Sequence, residues 1–235
     1  MDHSKAIVYG VGPAGTGKTI VTIATVLQIL KDQRAGGKCK NKALKDNSAH
    51  GKIYYIREPI ETANSAKIGF LPGDLDDKFG PYILGLKDNL EHLEAIGGQI
   101  DADYELKRIE CIPPTYIRGR SLGMSDTTSD IDFSEVTDPS EIKINYNHDT
   151  FVILDEAQNA SLDVIKTLLT RAGDYCKVIL LGSVNQIDQK GQTKEQNAFI
   201  TSYEKLKKFD FVGRVDLWKT ERSKICTLID NALSE

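Results

Sequence analysis

The stretch that decides the fold is Gly12-Pro13-Ala14-Gly15-Thr16-Gly17-Lys18-Thr19. It fits the pattern G-x-x-x-x-G-K-[ST], which is typical of a phosphate-binding loop between a strand and a helix. An apolar run, 6–11, precedes it and a helical run, 20–30, follows it. Backbone N–H groups of such a loop surround phosphate oxygens. We expect Lys18 to reach the β- and γ-phosphates and Thr19 to hold Mg²⁺, so the sequence predicts a nucleoside triphosphate site.

Composition limits the class of protein. The chain has 235 residues, of which 40% are hydrophobic and 27% charged, as in ordinary globular domains. We expect one domain over 1–235. The formal net charge of -4 argues against a globally basic nucleic-acid binder. The four cysteines are scattered without a C-x-x-C pair, which favours reduced thiols and a cytoplasmic location over a zinc or disulfide framework. No apolar run approaches the roughly 18 residues of a membrane span.

Short apolar runs alternate with helical patterns along the chain. The predicted strands are 6–11, 53–56, 109–112, 151–154, 178–181 and 212–217, and the predicted helices are 20–30, 81–96, 162–172, 197–206 and 223–233. This alternation predicts an α/β fold, in which a mostly parallel sheet carries helices on both faces and binds ligands beyond the carboxyl ends of its strands. Two segments that lack periodicity, 31–52 and 123–149, are predicted loop insertions. The first is either a solvated loop or a basic arm that contacts a phosphate backbone.

A second motif, Phe151-Val152-Ile153-Leu154-Asp155-Glu156, is a buried strand that ends in two acids. Beside a phosphate loop this pattern predicts that Asp155 orients Mg²⁺ and that Glu156 acts as the general base on the attacking water. Alone, the two acids could equally be surface or helix-capping residues. A third motif, Val178-Ile179-Leu180-Leu181-Gly182-Ser183-Val184-Asn185-Gln186, is another apolar strand that is followed by a glutamine. The Gln186 amide could contact the γ-phosphate and the water, although Asn and Gln are also common in turns.

Six motifs occur in the order seen in PhoH-like proteins, the phosphate-starvation-inducible ATPases. They are GPAGTGKT (12–19), KIGFLPGDLDDKFGPY (67–82), YIRGRSL (116–122), ILDEAQN (153–159), LLTRAG (168–173) and LLGSVNQID (180–188). The chain resembles this family from about residue 7 to the C-terminus, apart from the two insertions. The resemblance implies a RecA-like core, related to superfamily 1 helicases, that binds and hydrolyses ATP and acts on RNA.

The resemblance also implies roles for polar residues. Gln186 corresponds to the γ-phosphate sensor. Arg57, Arg118 and Arg120 lie in segments that resemble those lining the nucleic-acid or subunit face. Arg222 resembles a late arginine of the family and is our candidate for an arginine finger. Arg118 and Arg120 could instead form surface ion pairs, and Arg222 could be a surface residue at a helix start.

The chain departs from the family pattern at three places. Ser183 stands where the family usually has Asp. The family's arginine-proline pair appears here as Arg57-Glu58-Pro59. The family also has an upstream glutamine that reads adenine, and the few residues before the first strand contain none, so preference for ATP over GTP rests on the resemblance. We expect Trp218 to pack at the sheet edge rather than to stack on a base.

Together these features predict a Mg²⁺-dependent ATPase that couples hydrolysis to binding or remodelling RNA or single-stranded DNA. The alternative is a nucleotide-gated protein interaction module with negligible turnover. A second RecA-like domain does not fit within this length. We therefore expect a homo-oligomer, a ring of which a hexamer is one form, in which an arginine crosses the subunit interface.

Overall fold

The structure is a computed structural model that describes residues 4–36, 52–58, 75–123, 150–173, 176–183 and 197–221, with side chains except at 33–36 and 75–82. The strands are β1 (Ile7–Val11), β2 (Lys52–Arg57), β3 (Ile109–Ile112), β4 (Thr150–Asp155), β5 (Cys176–Gly182) and β6 (Val212–Asp216). The helices are α1 (Lys18–Gly36), α2 (Leu75–Ala95), α3 (Ala102–Arg108), α4 (Leu162–Arg171) and α5 (Ala198–Leu206). Pro114–Ile117 and Ala157–Asn159 form short 3-10 turns.

The described strands form one sheet in the order β3-β2-β4-β5-β1-β6, and every neighbouring pair is parallel. Strand β5 lies between the glycine-loop strand β1 and the acidic strand β4. Because the strands are parallel, the loop after β1 and the acids at the end of β4 lie at the same edge of the sheet. Strand β6 lies on the other side of β1, where Val11 is level with Asp216.

Helices cover both faces of the sheet because side chains along each buried strand alternate between them. Helices α1, α2 and α3 cover one face, whose core includes Ile23, Val26, Leu86, Leu90, Ala102, Ile53, Tyr55, Phe151 and Ile153. Helices α4 and α5 cover the other, whose core includes Tyr9, Tyr54, Val152, Leu154, Ile165, Leu168 and Phe199. The alternation puts Asp155 on the α1 face, in step with Phe151 and Ile153. This is the RecA-like P-loop arrangement of an α/β fold.

The six predicted strands are confirmed, each within two residues at either end. The loop predicted over 31–52 is wrong at its start, because α1 continues to Gly36. The extra turns have a physical basis: the Gln28 side chain donates to Asp32 Oδ1 at 2.7 Å, and Leu30 is buried. Residues 37–51 lie outside the described residues, as does the rest of the second predicted insertion after Gly123.

Helix α3 was not predicted because it has only seven residues and a weak apolar period. Asp101 caps its start by accepting a hydrogen bond from the Tyr104 N–H at 2.9 Å. Helix α2 begins at Leu75, six residues before the predicted start at 81. The helix predicted over 223–233 lies outside the described residues. No helix in the described part of the chain is both long and apolar enough to cross a membrane.

Candidate nucleotide-binding site

The glycine loop joins β1 to α1 and takes the shape that its sequence predicts. Gly15 and Gly17 have φ angles of 72° and 76°, in the left-handed region that favours glycine. A Cβ atom on Gly12 would lie 2.4 Å from the backbone oxygen of Leu217 and 2.9 Å from Thr16 Oγ1. Glycine is therefore required at position 12 by close approach to a neighbouring segment rather than by its φ angle.

The loop lysine lies within the loop itself. Lys18 Nζ donates to the backbone oxygens of Gly12 and Pro13, both at 2.9 Å. The Thr16 hydroxyl donates to the same Pro13 oxygen at 3.0 Å. These contacts hold the ammonium group at the mouth of the loop, where a phosphate would exchange for the two carbonyl oxygens as its partner.

Thr19 and Asp155 meet at the edge of the sheet, although 136 residues separate them. The Thr19 hydroxyl lies 3.1 Å from both carboxylate oxygens of Asp155. The buried Tyr55 hydroxyl donates to Asp155 Oδ2 at 2.6 Å. Tyr55 was not predicted as a site residue, since the sequence places it only within a predicted strand, 53–56. Its hydroxyl reaches Asp155 because β2 lies beside β4 and both side chains are on the α1 face.

The Asp155 carboxyl group is buried, and burial disfavours its charged form. Burial raises the pKa of its carboxyl group, and the Glu156 carboxylate raises it further. Hydrogen bonds from Tyr55 and Thr19 and the positive charge of Arg57 oppose this shift. Burial also raises the pKa of Tyr55, which therefore remains an O–H donor. A buried carboxylate of this kind gains stability from a cation placed next to it.

The residues fit Mg²⁺. A hydroxyl and a carboxylate are the hard oxygen ligands that this ion accepts, and phosphate oxygens and water normally complete its coordination. Thr19 and Asp155 provide both ligands on one side of the loop. Within the described ranges there is no group of three or more His, Cys, Asp or Glu side chains that could hold a metal.

Glu156 leaves the end of β4 in an unusual backbone conformation. Its φ and ψ angles of 53° and 41° are left-handed, and it is the one non-glycine residue with positive φ in the described part of the chain. Such a conformation costs about 1–3 kcal/mol in a non-glycine residue and is found preferentially at functional sites. The turn places the carboxylate next to Asp155, whose Oδ1 accepts the Glu156 N–H at 3.0 Å.

Gln158 is a further residue that the sequence did not single out. Its Nε2 donates to Glu156 Oε2 at 2.7 Å, and its Oε1 accepts the Ser183 N–H at 3.0 Å. Its backbone oxygen accepts from Asn197 Nδ2 at 2.8 Å. Gln158 is 1% exposed. Because a backbone N–H can only donate, the Ser183 N–H must face the amide oxygen of Gln158, and the NH₂ group of Gln158 then points at Glu156.

Two predicted site residues, Gln186 and Arg222, lie outside the described residues. Their roles as γ-phosphate sensor and arginine finger remain predictions. Ser183 precedes the segment that carries Gln186, and it is buried at the end of β5. The N–H of Ser183 connects this strand end to Gln158 and through it to Glu156.

The three arginines predicted for nucleic-acid contact occupy different surroundings. Arg57 ends β2 level with Asp155, and its charge acts on that carboxyl group, so it lies beside the loop site. Arg120 pairs with Glu110 at 2.7 Å and lies over the Tyr54 ring. Arg118 is exposed after the Pro114–Ile117 turn. The ion pair that we considered for Arg120 is therefore present, and a nucleic-acid role for the three stays a prediction.

Two of the motifs that carried the resemblance meet in the fold. The Leu122 N–H donates to the Arg171 oxygen at 2.9 Å, and the Gly173 N–H donates to the Leu122 oxygen at 2.8 Å. A Cβ on Gly123 would lie 2.9 Å from the Thr150 side chain, which leaves room only for glycine. These contacts attach the arginine-bearing segment to the start of β4.

Trp218 does not pack at the sheet edge, and that prediction is wrong. Its side chain is 74% exposed. The reason lies in the backbone, since β6 ends at Asp216 and the chain then turns along the glycine loop instead of continuing the sheet.

A RecA-like sheet, a phosphate loop after β1 and an acidic pair two strands away define a P-loop nucleotide-binding protein of the NTPase type. The family described as PhoH-like protein matches residues 1–130 and 146–234, and the chain belongs to the PhoH family.

Curated relatives agree with this assignment. The PhoH-like protein of Bacillus subtilis (strain 168) is 32% identical over 220 residues, which cover 92% of this chain and 53% of the relative. Protein PhoH2 of Mycolicibacterium smegmatis is 29% identical over 235 residues, which cover 100% of this chain and 44% of the relative. Protein PhoH2 of Bacillus subtilis is 30% identical over 226 residues. The chain spans about half the length of the curated relatives it matches.

Proposed function

We propose that this protein hydrolyses ATP with Mg²⁺ and couples hydrolysis to binding or remodelling RNA or single-stranded DNA. The observation that carries the proposal is the contact between the Thr19 hydroxyl and both oxygens of the Asp155 carboxylate at 3.1 Å, beside a complete glycine loop. This contact brings together the two oxygen ligands that a nucleotide-bound Mg²⁺ requires. When bound, Mg²⁺ would neutralise charge on the β- and γ-phosphates.

We assign a separate role in ATP hydrolysis to each residue of the site. The N–H groups from Gly12 to Thr19 and the ammonium of Lys18 would hold the phosphates. Asp155 would hold the metal, and Glu156 would accept a proton from the attacking water. Two contacts support this role: the Gln158 side chain donates to the Glu156 carboxylate, and the Glu156 backbone N–H donates to Asp155 Oδ1. Gln186 would sense the γ-phosphate.

Coupling to nucleic acid is supported by family membership and by the positions of Arg118 and Arg120. Both arginines are on the outer surface, and the Arg120–Glu110 pair is half-exposed and therefore weak enough to open for a phosphate. We propose that Arg57, at the end of β2, acts on the Asp155 carboxylate through its charge as well as contacting nucleic acid. A phosphate-backbone interaction of this kind weakens steeply as salt is raised.

We propose that the protein acts as a homo-oligomer. The described sheet contributes the loop and Asp155 to the nucleotide site, and fast hydrolysis uses an arginine on the other side of the γ-phosphate. We propose that Arg222 of a neighbouring copy supplies it in a ring. Sedimentation with and without ATP tests this, and a monomer that hydrolyses ATP rapidly at all concentrations would contradict it.

The experiment that tests the function measures phosphate release from ATP and Mg²⁺, with and without single-stranded RNA. The parent is compared with Lys18→Ala and Glu156→Gln. Lys18→Ala is expected to lose tight ATP binding, whereas Glu156→Gln keeps binding and slows release by roughly 100-fold or more. RNA-stimulated release that Glu156→Gln abolishes supports the proposal. A Glu156→Gln variant as active as the parent removes Glu156 from the mechanism.

A second candidate, a nucleotide-gated interaction module, is favoured by one observation. Ser183 is buried at the end of β5, where the family pattern has an acid. If that acid positions the water, its replacement by serine leaves binding intact and slows turnover. Tight ATP binding without phosphate release, in the presence and absence of RNA, would favour this candidate. Ser183→Asp would then be the variant expected to restore release.

A further inference from the structure

The segment 217–221, which follows β6, is fixed along the glycine loop at both of its ends. The Leu217 N–H donates to the Val11 oxygen at 2.8 Å, and the Glu221 N–H donates to the Gly15 oxygen at 3.0 Å. The Leu217 oxygen also lies against Gly12, so closely that a Cβ there would be 2.4 Å away. The backbone on either side of residue 218 therefore has a defined position relative to the phosphate site.

Trp218 projects from this fixed segment into solvent. Its 74% exposure is the highest among the large apolar side chains of the described residues. An indole buries up to about 250 Å² when it finds a partner. An exposed ring on a fixed backbone segment, with little contact to the described residues, is typical of a binding surface. The adjacent Lys219–Glu221 ion pair is itself exposed.

The position of segment 217–221 relative to the phosphate site indicates which ligand Trp218 would contact. Thr19 and Asp155, which would hold the metal at the β- and γ-phosphates, are on the β4 side of the loop. Segment 217–221 is on the opposite side, next to β6. A nucleotide whose γ-phosphate points towards Asp155 therefore extends its ribose and base away from β4, on the side of the loop where segment 217–221 lies.

We propose that Trp218 is the platform on which the base of the bound nucleotide stacks. The inference rests on the proposed function, since it needs a nucleoside triphosphate in the loop. Every base has a π-face, so a stacking platform accepts purines with little discrimination. ATP and GTP are therefore expected to bind with similar affinity. Stacking contributes about 1–3 kcal/mol per base, so Trp218→Ala should weaken ATP binding about 5- to 150-fold.

The test uses the fact that Trp218 is the only tryptophan of the 235 residues, so indole fluorescence reports on this side chain alone. The parent is titrated with ATP, GTP and inorganic tripolyphosphate, and calorimetry measures the binding of each. We expect ATP and GTP to change the indole emission and tripolyphosphate to bind without changing it. Trp218→Phe should retain most of the ATP affinity. Trp218→Ala should bind ATP about 5- to 150-fold more weakly while binding tripolyphosphate as the parent does.

A matched control is Tyr104→Ala, which removes a half-exposed aromatic ring on α3 and should leave ATP affinity unchanged. Equal ATP affinities of the parent and Trp218→Ala, or an emission that ATP does not alter, would overturn the platform while the phosphate site stands. Emission that responds to single-stranded RNA, or to dilution of the protein, but not to ATP would also overturn it. Failure of the parent to bind ATP or tripolyphosphate would instead remove the proposed function.

Discussion

Gln158 offers the sharpest test of the site, because its side chain makes one hydrogen bond to Glu156 and one to Ser183. In Gln158→Met a side chain of similar length loses both. The buried Ser183 N–H loses its acceptor, at a cost of about 1–3 kcal/mol, and the bond to the Glu156 carboxylate was worth about 1.5–3 kcal/mol. Since Glu156 is only partly buried, we take about 1.5 kcal/mol for its bond and expect Gln158→Met to lose about 2.5–4.5 kcal/mol of unfolding free energy.

Gln158→Glu separates the two bonds. The new carboxylate still accepts from Ser183, but it faces the Glu156 carboxylate where the parent has a donor at 2.7 Å. Protonation restores a donor. Burial and the neighbouring charge raise the pKa of the introduced carboxyl in the folded state. Its stabilising effect is therefore present at acid pH and is lost as the pH rises through that pKa, so the deficit of Gln158→Glu grows with pH.

The assay is urea denaturation from pH 5 to 8, with phosphate release measured on the same proteins. The deficit of Gln158→Met should be nearly independent of pH, which makes it the control for Gln158→Glu. Because a misplaced base costs up to about 100-fold in rate, both variants should release phosphate more slowly with little change in ATP affinity. Gln158→Met with parental stability and rate would show that Gln158 does not position Glu156.

Two further variants test the loop and the acid. Gly12→Ala places a Cβ 2.4 Å from the Leu217 oxygen, so we expect its free energy of unfolding, measured by urea denaturation, to fall by about 1–3 kcal/mol. The control is Gly213→Ala, whose Cβ meets only the flexible Lys5 side chain at 3.2 Å and which should lose less stability. Equal losses in the two variants would exclude the clash. Asp155→Asn removes a carboxyl whose pKa is raised by burial, so without nucleotide its stability relative to the parent should increase as the pH rises, while Mg²⁺-dependent phosphate release is lost. A stability difference that is constant or falls with pH would contradict this assignment.

The strands and the two acidic and glycine motifs could be predicted because each is written in consecutive residues. Apolar runs of four or more residues identified β4 and β5, and the octapeptide identified the loop. The contacts that complete the site join residues far apart, as Tyr55 is 100 residues from Asp155 and Ser183 is 25 from Gln158. These contacts depend on strand order and register, which a periodic pattern does not specify.

The exposure of Trp218 is a second feature that depends on contacts between residues far apart in sequence. An aromatic residue just after a strand usually packs, and the exposure of Trp218 follows from two backbone hydrogen bonds that turn the chain along the loop. Both bonds join residues about 200 positions apart in sequence. Helix α3 was missed for a different reason, because its stability comes from Asp101 capping and packing against α2 rather than from an apolar period.

The hydrogen bond from the buried Gln158 offsets the strain in the backbone of Glu156. Its left-handed conformation costs about 1–3 kcal/mol, and the hydrogen bond from Gln158 is of similar size, so the two terms nearly balance. Ser183 fixes the amide that makes this bond, and Asn197 holds the same residue through its backbone oxygen. Ser183 and Asn197 flank the segment that carries Gln186. Hydrogen bonds therefore connect both ends of that segment to Gln158, and Gln158 to the carboxylate proposed to activate water.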